Sequence, residues 1–133
     1  MSLISKVQQY VASVQTDFPA SLGMLSEDVH WVNLLPANVP FGGEYKGHAG
    51  IIEYFEAMGE TFELGQYHFD KFEFIETENT VVMSGFEERA KVPATGKIFD
   101  LHFVWIVKFN DDGKIQYLRE YNDTAAIGDA FKQ

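Results

Sequence analysis

Apolar residues recur at two different spacings along this chain, and the change from one to the other divides it. Leu3, Val7, Tyr10, Val11 and Val14 stand three and four apart, which predicts an amphipathic helix over Ser2 to Thr16 with Ser2 as its N-cap. Pro19 opens a second, short helix to Leu25, because proline is tolerated at a first helical position. Asp28 to Asn33 (DVHWVN) predicts a strand. Leu34 to Lys46 holds Pro36, Pro40, Gly42 and Gly43 and predicts irregular backbone. Helical spacing returns over Gly47 to Glu60, with Ile51, Ile52, Tyr54, Phe55 and Met58 as the apolar stripe. From Gln66 onward the period falls to two. Strands are predicted over Gln66 to Glu76, with imperfect alternation, and over Val81 to Val92, with Val82, Phe86, Ala90 and Val92 on one face. Two more follow over Ile98 to Phe109 and Lys114 to Tyr121, and a short terminal helix begins after Asp123. Helices first and a strand meander afterwards predict one α+β domain, residues 1–133, in which a curved antiparallel sheet wraps as a cone-shaped barrel around the N-terminal and central helices.

The last hairpin carries the most information. Phe99, Leu101, Phe103, Trp105 and Val107 form a wholly apolar set, against the mixed set Asp100, His102, Val104, Ile106 and Lys108. Asn110 to Gly113 (NDDG) supplies turn residues. A four-residue loop pairs Phe109 with Lys114, Trp105 with Leu118 and Phe103 with Glu120. It therefore places Leu118, Glu120 and Asn122 on the buried face, and Tyr117, Arg119 and Tyr121 outside with His102. A three-residue loop reverses every one of these assignments, because side chains alternate with period two.

Composition narrows the partners. Ten Lys and Arg stand against 20 Asp and Glu, a formal charge of -10, which speaks against nucleic acid and against an anionic membrane surface. Aromatic residues make up 15% of the chain and suit a packed or cavity-forming β-rich fold. No cysteine is present, which excludes thiol nucleophiles and zinc-thiolate sites. No apolar run has the length of a signal core or a membrane span, so a cytoplasmic protein is the expectation. His30, His48, His68 and His102 show no metal-ligand spacing, and neither a metal nor a cofactor is expected.

Tyr10, the HWVN strand with its Pro/Gly-rich loop, YKGHAGIIEYF (Tyr45 to Phe55), FNDDGKI (Phe109 to Ile115) and YLREYND (Tyr117 to Asp123) together resemble the nuclear transport factor 2-like superfamily. The resemblance is to its ketosteroid isomerase and SnoaL-like polyketide cyclase branch, and it spans nearly the whole chain. It implies a cystatin-like roll around a conical apolar pocket, and commonly a homodimer. YLREYND also resembles a segment of the phenazine-biosynthesis A/B proteins whose pocket glutamate falls on Glu120. Carried over from ketosteroid isomerase, the tyrosine that binds the oxyanion falls on Tyr10, the catalytic base on Asn33, and the protonated aspartic acid on Trp105. An amide accepts no proton from carbon at neutral pH, and an indole is not acidic in that range. The resemblance therefore implies a pocket but speaks against steroid isomerisation by that route.

Glu120 is the leading acid/base candidate, since a carboxylate on an apolar concave face has its pKa raised by desolvation. Asn33 and Tyr10 are expected to polarise a ligand beside it. Trp31, Tyr54, Phe55, Phe103, Trp105, Leu118 and Asn122 are expected to line the same pocket. Glu87, Glu88 and Arg89 read as a solvated charge run, with one of the two carboxylates pointing inward as the alternative. These residues point to a cofactor-independent isomerase, cyclase or dehydratase acting by proton transfer on a small, apolar, ring-containing molecule, or to a non-catalytic binding protein of the same fold. The outer face, with Val104, Ile106, Tyr117 and Tyr121, is apolar enough to predict a homodimer.

Overall fold

The computed structural model describes residues 2–133. Helix α1 (Leu3–Thr16) is capped by the Ser2 hydroxyl, which accepts from the Ser5 amide, and it buries Val7, Tyr10 and Val11. Helix α2 (Phe18–Gly23) follows at once, with Asp17 as its N-cap and Pro19 in its first turn. Strand β1 (Leu25–Asn33) then runs into a loop that is not wholly irregular. Its end, β2 (Gly43–Lys46), pairs antiparallel with β1, so Trp31 lies opposite Tyr45. The glycines that suggested irregular backbone instead let the loop close. Gly42 sits tight against Leu35, and Gly43 has φ +133, a region that favours glycine. Helix α3 (Gly47–Thr61) lies on the inner side of the sheet and buries Ile51, Tyr54 and Met58.

The segment predicted as one strand over Gln66 to Glu76 is broken. It forms β3 (Gln66–Tyr67), a 3-10 turn at Phe69–Lys71, and β4 (Glu73–Glu76). The imperfect alternation marked the break. Phe69, Phe72 and Phe74 crowd together there, and Phe72 packs over Gly85, where a Cβ would come within 2.5 Å of its ring. Strands β5 (Thr80–Val92), β6 (Lys97–Phe109) and β7 (Ile115–Asn122) form the body of the sheet, and α4 (Thr124–Ala130), capped by Asp123, closes one end. The strand order is β2-β1-β7-β6-β5-β3, with β4 also on β5. The sheet is mixed rather than antiparallel, because β1 runs parallel to β7, and it is a curved open sheet rather than a closed barrel.

Two one-residue bulges decide which side chains face inward. In β5 the register slips between Glu87 and Ala90, where Arg89 has a positive φ of 60 and donates its amide to Asp100 Oδ1. Before the bulge Val81, Met83 and Glu87 point in. After it Ala90 and Val92 do, so Val82 and Phe86 belong to the other face, contrary to expectation. The hairpin between β6 and β7 contains two slips. Its turn closes on Asn110 and Lys114, with Gly113 at φ 75, which is the three-residue loop. A second slip lies between the pairs Phe109–Ile115 and Lys108–Tyr117. Each slip alone flips the face, and together they restore it. Trp105 consequently pairs with Glu120, and Phe103 with Asn122, two residues away from the predicted register but on the predicted face.

The core is continuous from α1 through α3 to the inner faces of β1, β5, β6 and β7, and it is dominated by aromatic edge-to-face contacts such as Trp31–Phe55 and Trp31–Trp105. The β5 bulge is braced by Gly65, where an added Cβ would collide with the Glu88 carbonyl oxygen. Gly65→Ala is therefore expected to destabilise the fold by about 2 kcal/mol, because the obstacle is backbone that cannot rotate away. Urea unfolding measures this, and an unchanged midpoint would contradict the bracing role.

Candidate active site

Strand β1 and the bulged β7 lie side by side, with Trp31 opposite Leu118 and Asn33 opposite Glu120. That register places Trp31, Asn33 and Glu120 together, and α3 lowers Tyr54 onto them. Glu120 Oε2 accepts from Tyr54 OH at 2.8 Å, Trp31 Nε1 at 2.9 Å and Asn33 Nδ2 at 3.2 Å. Asn33 Nδ2 also donates to the Tyr54 hydroxyl oxygen at 2.9 Å, and its Oδ1 accepts from Asn122 Nδ2 at 2.9 Å. Among the described residues every hydrogen bond of ordinary geometry to this carboxylate goes to Oε2, and none goes to Oε1.

No cation among the described residues pairs with this carboxylate. The ion pairs among the described residues are His30–Glu44 and His68–Glu88, both toward the surface. Burial is the largest influence on Glu120 and raises its pKa. The hydrogen bonds from Trp31 and Tyr54, with the nearby indole N–H of Trp105, pull it part of the way back, and it rests at about 6. Trp105 Nε1 makes no hydrogen bond of ordinary geometry and is a buried donor without a partner. Tyr10 OH is another, and burial with the Glu120 charge drives its pKa upward. Tyr54 is raised well above the usual phenol range, first by burial and then by the Glu120 charge, so it stays a neutral donor.

These groups surround a narrow, partly enclosed cavity of about 50 Å³. Of the residues expected at the site, Tyr10, Trp31, Asn33, Tyr54, Phe55, Phe103, Trp105, Glu120 and Asn122 line it. Leu118 does not. The two-residue register difference moves it from beside Trp105 to beside Val107, where it is fully buried in the core behind the cavity wall. Asn33 spends its amide on Glu120, Tyr54 and Asn122, and so orients the carboxylate.

One functional group escaped the sequence reading. Glu87, read as part of a solvated run, is 3% exposed and lines the same cavity. Tyr67 OH donates to its Oε1 at 3.4 Å, and its Oε2 is buried without a partner. Burial and then the Glu120 charge push its pKa up to about 8, against a smaller opposing effect from the Tyr67 hydroxyl. The signal was present. Val81 and Met83 are odd, Ala90 and Val92 even, and one strand buries both sets only with a bulge between them. No three metal-ligating side chains gather among the described residues. No helix among them is long and apolar enough to cross a membrane.

Comparison with known proteins places this geometry in a family. The model of the SnoaL-like domain matches residues 7–118, and the chain belongs to that family. No curated protein matches it. Among solved structures it is similar to an NTF2-like protein from Burkholderia xenovorans LB400, with a TM-score of 0.83 and 24% identity over 98% of this chain and 95% of that one. It is also similar to TerC co-crystallised with polyporic acid, with a TM-score of 0.79 and 26% identity over 98% of each chain. A candidate polyketide cyclase from Pseudomonas putida KT2440 shares the fold at a TM-score of 0.79 and 18% identity over 98% of each chain.

Glu120 and Glu87 both bind protons more tightly folded than a free glutamate does. Each therefore favours the folded state below about pH 4.5, and that advantage is lost as pH rises through about 6 for Glu120 and about 8 for Glu87. For Glu120 the shift from 4.5 to about 6 corresponds to about 2 kcal/mol. Glu120→Gln should flatten the decline of stability between pH 5 and 7, as followed by urea titrations at several pH values. A variant that loses stability at pH 7 but not at pH 4 would show that the charged form is the favoured one.

Proposed function

We propose that the protein is a cofactor-independent isomerase or cyclase in which Glu120 transfers a proton to and from a flat, largely apolar ring compound. The observation that carries this reading is the asymmetry of the Glu120 carboxylate. Among the described residues three neutral donors bond Oε2, none makes a hydrogen bond of ordinary geometry to Oε1, and no cation pairs with the carboxylate. A carboxylate whose pKa sits at about 6 is ionised enough at neutral pH to accept a proton and basic enough to do so usefully. Trp31, Phe55, Phe103 and Trp105 wall a narrow space that suits a planar ring. Tyr10 OH and Trp105 Nε1 have no protein partner and are the donors left to bind ligand oxygen. TerC, co-crystallised with polyporic acid, supports a ring compound bearing acidic hydroxyls as the ligand class.

Both tryptophans belong to the cavity, so intrinsic fluorescence reads binding directly. A panel of hydroxyquinones and aryl ketones is expected to quench it saturably in the wild type and in Glu120→Gln alike. Proton exchange or isomerisation of the bound compound should vanish only in the variant, and the wild-type rate should rise with pH through about 6. Saturable binding with equal, zero turnover in both proteins would sink the enzyme reading and leave a binding protein.

The outer sheet face supports a second reading, self-association. Val104, Ile106 and Tyr117 are only partly covered, Tyr121 is 49% exposed, and Arg119 stacks on Tyr121 at 4.7 Å with its Nε lacking a hydrogen-bond partner. A two-fold pairing of this face would cover the apolar residues and offer the guanidinium an acceptor. Light scattering at micromolar concentration should give twice the monomer mass, and Ile106→Glu should restore the monomer. A wild-type monomer refutes the pairing.

A further inference from the structure

Two carboxyl groups, not one, line the cavity, and the function proposed above uses only Glu120. We propose that Glu87 is a second acid of the site: its carboxyl group binds and protonates a substrate oxygen while Glu120 takes a proton from carbon, so the cavity accepts a compound whose acidic C–H is conjugated with a carbonyl. This inference rests on the proton-transfer reading of Glu120 and adds the second half of the reaction.

Position is the first argument. Glu87 is opposite Leu101 and Glu120 opposite Trp105, so the two glutamates flank β6 on either side, offset by four residues or about 13 Å along an extended strand. Both side chains enter the concave side. No hydrogen bond joins them, yet the charge of Glu120 is felt at Glu87. Both line the same cavity. A substrate lying there meets both carboxyl groups.

The second argument is an unspent atom. Glu87 is 3% exposed, its Oε1 is met by the Tyr67 hydroxyl, and its Oε2 has no partner. A buried polar atom without a partner is costly, and a ligand oxygen in the cavity would satisfy it. The titratable groups facing Glu87 are Tyr67 from β3, Tyr54 from α3 and Glu120 from β7, none of them a cation. On its own strand, Glu88 turns outward to His68 and Arg89 is exposed. The Tyr67 hydroxyl favours the ionised form, but burial and the Glu120 charge outweigh it, and Glu87 holds its proton at neutral pH. The bulge is the third argument. Arg89 sits in a left-handed conformation immediately after the glutamates, and that bulge makes Glu87 the last inward residue of its register.

The step balances within the cavity. The Glu120 carboxylate takes the proton from the substrate C–H, and that bonding pair becomes part of a new C=C bond. The displaced π electrons move through the conjugated system to the carbonyl oxygen, which receives the proton of Glu87. The product is a neutral enol, with Glu120 now protonated and Glu87 ionised. One negative charge is present before and after, so no second charge is ever buried. Return of the Glu120 proton to a different carbon, and of the enol proton to Glu87, completes an isomerisation.

Infrared spectroscopy tests Glu87 without turnover. At pH 7 the wild type should show a protonated-carboxyl stretching band that titrates near pH 8, is absent from Glu87→Gln, and moves to lower frequency when cyclohex-2-en-1-one is added. A missing band, or one indifferent to the ketone, overturns the proposal. Cyclohex-3-en-1-one tests the coupled step through its conversion to the conjugated isomer. Glu120→Gln should abolish acceleration, Glu87→Leu should reduce it at least tenfold, and Glu87→Gln should recover part of the rate but lose the fall in rate above pH 8. Wild-type rates and pH profiles in both Glu87 variants overturn the proposal. A wild type whose band shifts but which does not isomerise the ketone overturns the role of Glu120, and leaves Glu87 as a carbonyl-binding residue.

Discussion

The arrangement depends on holding a half-buried carboxylate beneath neutral donors. Trp31, Asn33 and Tyr54 give Glu120 three hydrogen bonds and no positive charge. Had an arginine taken their place, the acid would have been held ionised and chemically idle. Neutral donors fix the position of Oε2 without extinguishing the basicity of Oε1. Each donor is itself restrained. Trp31 is wedged among Tyr10, Tyr54, Phe55 and Trp105, and Asn33 is held by Asn122. The aromatic wealth of the chain serves this purpose as much as core volume, since rigid rings hold donors in place at little cost in rotamer freedom.

Much of this was legible in the chain because period and punctuation agree over long stretches. The helix containing Tyr10, the helix containing Tyr54 and the apolar set from Phe99 to Val107 were all recovered from spacing. Glu120 was placed on the inner face for a reason that was only half right. The turn is the shorter alternative, and a bulge near Gln116 compensates. Its trace is Ile115 and Leu118, two buried residues three apart in a strand. The same trace, the odd-to-even switch between Met83 and Ala90, marks the bulge that follows Glu87. Bulges are the features that strict alternation cannot represent, and in this protein they bring a carboxyl group into the cavity. The parallel pairing of β1 with β7 was beyond reach for a different reason. It joins segments about ninety residues apart, and no local pattern reports a partner at that distance.

That pairing has a kinetic consequence. The hydrogen bonds from Trp31 and Asn33 to Glu120 span 89 and 87 residues. Closing a loop of that length costs about 4 kcal/mol beyond a length-independent constant, against the small gain of each bond made. The β5–β6 and β6–β7 hairpins close over short turns and are the natural early structure. The strand carrying Trp31 and Asn33 is then a late arrival, docking on an edge the hairpins have already built. Contacts absent from the folding transition state act on the rate of unfolding rather than folding. Weakening the donors around Glu120 would thus shorten the lifetime of the native state while leaving the speed of its formation largely untouched, so the cluster that prepares the carboxylate for chemistry is also the clasp that sets how long the molecule stays closed.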